Sequence, residues 1–121
     1  MAEAHGRHEA RAASRRRLVV LIARDEASFD PLVNGLLDVG ITGATVLESR
    51  GLAAVVREDM PIFAGLAALL PTRTGSKVVL SLLDIEHVAA IRRFVENDLL
   101  PHERPIVIVL PVESVEGLGD G

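Results

Sequence analysis

The chain contains no cysteine, tryptophan or tyrosine, and its only aromatic residues are Phe29, Phe63 and Phe94. Without thiols there can be no disulfide, no thiolate metal site and no cysteine nucleophile. Without tyrosine there is no tyrosine to modify. The core has to be built from Val, Leu, Ile and Ala. Nearly half of the 121 residues are hydrophobic, which suffices for one ordinary domain. No apolar run approaches the ~20 residues of a membrane-spanning helix. The run at residues 18–23 is also too short for a secretory signal. The expectation is a cytoplasmic protein with no membrane insertion.

Catalytic motifs are missing too. There is no G-x-x-x-x-G-K-[ST] phosphate loop, no G-x-G-x-x-G and no H-E-x-x-H. None of the serines has a nucleophile-elbow context. Glu86 and His87 are adjacent on a helical pattern, so their side chains do not face each other. The chain reads as a non-enzyme, with no metal site and no catalytic residue.

Charge is unevenly spread. Residues 1–17 hold five Arg and two Glu, a net +3, whereas residues 18–121 hold eight basic and fifteen acidic groups, a net −7. An acidic body argues against a nucleic-acid surface. The Arg-rich start reads as a disordered basic tail over 1–16. A single domain is expected over 17–116, with a frayed end at 117–121.

Residues 17–24 are β-branched and aliphatic without alternation, the mark of a strand covered on both faces. Ser28 or Asp30 can cap a helix whose first turn suits Pro31. Leu32, Leu36 and Val39, with Val33 and Leu37, give that helix an apolar stripe down to Gly40. Gly35 weakens it by about 1 kcal/mol relative to Ala, which suggests close packing at that point. Gly40 stands where a helix C′ residue needs positive φ, and Gly43 follows just before a strand at residues 44–49. Asp59, Met60 and Pro61 open a short extra helix with Ile62, Leu66, Leu69 and Leu70. A third strand at 77–83 follows. Asp84 caps a second helix striped by Val88, Ile91, Val95 and Leu99. Pro101 ends that helix, and a fourth strand runs over 105–112.

Two strand–helix–strand halves of this kind predict an α+β, ferredoxin-like fold: a four-stranded antiparallel sheet, two helices on one face, and a short extra helix in the β2–β3 connection. Two helices can cover only one face. Strands one, three and four are nevertheless apolar at nearly every position, so the other face calls for burial against further copies of the chain.

The stretch Val39-Gly40-Ile41-Thr42-Gly43-Ala44-Thr45-Val46, with Glu48 and Gly51 after it, resembles the second-strand signature of the P-II nitrogen-regulatory signal-transduction family. The resemblance implies a homotrimer with its sheets facing inward. It further implies a small effector bound in clefts between subunits, and regulation of a target protein such as a transporter or enzyme. By the same resemblance Thr42, Gly43 and Thr45 shape the cleft floor, and Arg50, Gly51, His102 and Arg104 meet the ligand. The segment 51–70, through Ile62, Phe63 and Leu66, would either cap the edge of the core or meet the partner. The alternative is a structural or interaction trimer that has lost nucleotide binding.

Two departures bear on the ligand. In that family the link before the fourth strand is a glycine-rich phosphate cradle with a lysine. Here it reads Leu100-Pro101-His102-Glu103-Arg104-Pro105, without glycine and with two prolines that have no N–H. After the fourth strand stand Glu113, Val115 and Glu116, where the family is basic. A nucleotide cofactor of the usual P-II kind, ATP, fits this link poorly.

Overall fold

The computed structural model describes residues 15–52, 55, 59 and 77–118. The elements in order are β1 (Arg16–Ala23), a 3-10 turn (Glu26–Ser28), α1 (Phe29–Asp38), β2 (Thr45–Glu48), β3 (Lys77–Asp84), α2 (Ile85–Asp98), a second 3-10 turn (Pro101–Glu103) and β4 (Ile106–Pro111). The four strands form one antiparallel sheet in the order β2-β3-β1-β4. This is the ferredoxin-like arrangement expected from the two halves. In the β2–β3 connection Leu52, Val55 and Asp59 are helical, so helix is present before Asp59, where the sequence places its start, while Ile62, Phe63 and Leu66 lie outside the described residues, as does the tail before residue 15.

The first helix starts a turn earlier than its sequence suggests. Asp25 provides the cap: its carboxylate accepts from the Ser28 N–H at 2.8 Å and from the Ser28 hydroxyl at 2.6 Å. Ser28 is thus the capped residue, and it makes no side-chain cap bond of its own. Asp84 does hold the N-cap position of α2, but its side chain makes no capping bond there. The N–H of Ile85 donates instead to the Arg15 carbonyl, 3.1 Å away.

α1 ends at the glycine corner. Gly40 has φ +88°, the left-handed conformation that a Cβ disfavours. Its N–H donates to the Leu37 carbonyl, and that of Ile41 to the Leu36 carbonyl, which satisfies the helix end. Gly43 does not share this need, because its φ is not positive and a Cβ there would meet nothing within 4 Å. Its carbonyl instead accepts from the buried Ser81 hydroxyl at 2.6 Å, which ties the corner to β3.

Alternate strand residues face the helices. Val19 and Leu21 of β1, with Val79 and Leu83 of β3, pack beneath Leu32 and Leu36 of α1 and beneath Val88, Ile91, Phe94 and Val95 of α2. Phe94 joins the stripe read from the sequence and is its largest member. Among the elements with a described range, no helix packs on the other face. Registers place Leu47, Val78, Ile22 and Ile106 in one cross-strand row, Thr45, Leu80, Val20 and Ile108 in the next, and Leu82, Leu18 and Leu110 in a third. Ten of these eleven side chains are aliphatic. Those on β1 and β3 are half-buried by their neighbours, and those on β4 are exposed.

Candidate functional site

Register decides which candidate residues can meet. Glu48 lies opposite Lys77, Lys77 opposite Ala23, and Ile22 opposite Ile106. The exit of β2 and the entry to β4 therefore lie at the same end of the sheet, but at its two opposite edges. Arg50 and Gly51 follow β2, and His102 and Arg104 precede β4. Three inter-strand spacings, about 14 Å, separate these pairs within one chain. Thr42 and Gly43 stand at the far end of β2, and Thr45 lies in the middle row of the helix-free face. The fold thus brings Arg50 beside Gly51 and His102 beside Arg104, and it keeps the two pairs apart.

At the β2 edge, Arg50 forms an ion pair with Asp59. Hydrogen bonding from Arg50 holds the Asp59 carboxyl below its ordinary value, with desolvation opposing and the charge of Arg50 reinforcing the shift. The Val55 N–H donates to the Gly51 carbonyl at 3.1 Å, a helical i to i−4 bond that folds the chain back immediately after β2. Asp59 is thereby brought within reach of Arg50. In the sequence Asp59 reads only as a helix start, and its spacing from Arg50 carries no local sign of the pairing.

At the β4 edge, the link is held by its own atoms. The Leu100 N–H donates to the Glu103 carboxylate at 3.0 Å, the Glu103 N–H to the Leu100 carbonyl at 2.8 Å, and the Arg104 N–H to the Pro101 carbonyl at 3.4 Å. Half of this reciprocal arrangement was legible, since a Glu three residues after a helix start is the spacing that returns its side chain to the N-cap N–H. The Arg104 guanidinium donates to the Glu96 carbonyl at 3.0 Å, while its own carbonyl accepts from Arg24 Nε at 3.1 Å. Arg104 therefore joins the end of α2 to the end of β1. Its Nε is buried without a partner. His102 is exposed at the crest of the turn.

Two helices over four strands also leave a groove at each edge of the covered face. One, about 150 Å³, lies between α1 and β2 and includes Leu36, Leu37, Ile41, Thr42 and Val46 in its walls. Thr42 thus turns toward the helix side rather than the end of the sheet that carries Arg50. The other, about 320 Å³, lies between α2 and β4, with Val95, Val107 and Val109 as its floor and Arg92 and Glu96 at its lip. Among the described residues there is no cluster of three or more His, Asp or Glu able to hold a metal ion. No helix among them is long and apolar enough to cross a membrane.

No protein-family model matches the chain, and no curated protein matches it. Solved structures do. The chain is similar to Arabidopsis thaliana PII bound to citrate, at 20% identity over 87% of this chain and 82% of that one, with a TM-score of 0.56. The fold is that of the P-II proteins, as the Gly40 to Thr45 signature implied.

Proposed function

We propose that this chain is a P-II-like regulator: a non-enzymatic homotrimer that binds a small effector in clefts between subunits and passes its occupancy to a partner protein. The observation that carries this reading is the helix-free face, whose rows of aliphatic side chains span all four strands. A patch of that size and continuity is the property of an interface, and a closed cyclic assembly is the simplest way for one surface to cover itself. Inward-facing sheets would bring the β2 edge of one subunit toward the β4 edge of the next. Arg50 and Gly51 of one copy would then approach His102 and Arg104 of its neighbour, with Thr45 further along the same face, while Thr42 and Gly43, at the far end of β2, would lie away from that contact. The partner surface would be formed by Ile62, Phe63 and Leu66 in the 51–70 segment, acting on a transporter or enzyme of the cytoplasm.

Light scattering coupled to size exclusion tests the assembly, with three chains per particle expected and a monomer refuting it. Thermal-shift measurements with nucleotides, cyclic dinucleotides, 2-oxoglutarate, citrate and bicarbonate test the effector, because a ligand of the native state raises the midpoint. One structure similar to this chain is of a protein bound to citrate, a reason to include small carboxylates among the first compounds tried. A second reading is a trimer that has lost nucleotide binding and serves as an interaction module. The committed donors of the α2–β4 link favour it. Capture of a partner that is equally strong with and without metabolites would decide for it.

A further inference from the structure

We infer that the α2–β4 link is an internally capped turn that refuses polyphosphates, so the effector of the cleft is a compound without a phosphate chain. This deepens the cleft reading given above and rests on it. Binding a phosphate chain through backbone requires several N–H groups that converge on one point and are not already bonded. Residues 100–105 have four such groups, because Pro101 and Pro105 have none. Three of the four, those of Leu100, Glu103 and Arg104, already donate inside the link.

The acceptor for the first of these is itself an anion. The Glu103 carboxylate lies 3.0 Å from the Leu100 nitrogen, so a negative charge belonging to the chain occupies a donor that a phosphate oxygen would need. The 3-10 turn at Glu26–Ser28, which carries the acidic Glu26, packs against this link. The cations nearby are directed at backbone: Arg104 to the Glu96 carbonyl, and Arg24 to the carbonyl of Arg104. Of the polar side chains in the link, only that of His102 is exposed. Such a wall can give a hydrogen bond or two to a neutral or singly charged group. It cannot neutralise three or four charges.

Amide spectra of the 15N-labelled full chain, titrated with inorganic pyrophosphate and with ATP, read the link directly. The expected result is that the Leu100, Glu103 and Arg104 signals stay in place at millimolar probe. Saturable movement of those signals would overturn the inference while leaving an effector-binding cleft intact. The premise is tested separately by Glu103→Ala, which should quicken hydrogen exchange at the Leu100 amide about fivefold, the loss of one hydrogen bond of ordinary strength. Unchanged exchange would remove the cap from the argument and overturn the inference with it. A midpoint rise with a phosphate-free compound, with the link amides still silent to pyrophosphate, supports both readings. If no compound raises the midpoint, the effector proposal falls and the refusal of polyphosphate stands.

Discussion

The ring of Phe94 in α2 fills the space where a side chain at Gly35 in α1 would begin. A Cβ built on Gly35 would lie 1.9 Å from the ring Cζ and 2.0 Å from Cε1. The two helices meet over the sheet through this contact, and Phe94 is only 6% exposed. A glycine in mid-helix costs about 1 kcal/mol against alanine, and here it gives the ring its place.

Gly35→Ala should therefore destabilise the fold, although helix propensity alone would have it stabilise. The ring cannot move without disturbing the core, so overpacking should cost about 1–3 kcal/mol. Urea unfolding measures the balance. A midpoint equal to or above that of the parent would show that the core yields easily at Phe94.

The glycine corner makes a sharper pair. Gly40→Ala puts a Cβ on a residue at φ +88° with open space around it, so its cost is conformational and should be about 1 kcal/mol. Gly43→Ala meets neither strain nor contact and should unfold within about 0.5 kcal/mol of the parent. Equal effects at the two positions would mean that the corner needs both glycines.

On the helix-free face, Ile108 belongs to β4 and is exposed. On the proposed trimer, Ile108→Glu should leave the circular dichroism of the chain unchanged and shift the particle seen by light scattering toward monomer. Burying a carboxylate at a subunit contact without a partner costs several kcal/mol. A trimer unaffected by this charge would mean that the sheet face is not the contact.

The Arg50–Asp59 pair predicts a pH dependence at low pH. Because the folded state holds the Asp59 carboxyl below its ordinary value of 3.8, the pair's contribution is complete above that value and disappears as pH falls through the depressed one. Both partners are solvent-exposed, so the effect on global stability should be slight and salt-sensitive. Side-chain carboxyl NMR should find the Asp59 titration moving upward in Arg50→Ala. No movement would detach Asp59 from Arg50.

Much of the site was legible as residue types but not as positions. Gly40 declared its conformation through its place after an apolar stripe, and the α2–β4 link declared its poverty in donors through Pro101, Pro105 and the lack of glycine. The capping of Leu100 by Glu103 could have been read from its three-residue spacing. The bond from Arg24 to the Arg104 carbonyl could not, because eighty residues separate its ends and no periodicity links them.

The sequence by itself determined the order of strands and helices, the corner at Gly40, and the mismatch between apolar strands and the helices available to cover them. These are consequences of side-chain periodicity and local backbone sterics, which act over a few residues. Tertiary structure alone decided that β2 and β4 take opposite edges, that Arg50 and His102 are therefore kept apart within one chain, and that Phe94 occupies the space left by Gly35. Those outcomes depend on strand register and helix packing, where groups distant along the chain compete for the same volume.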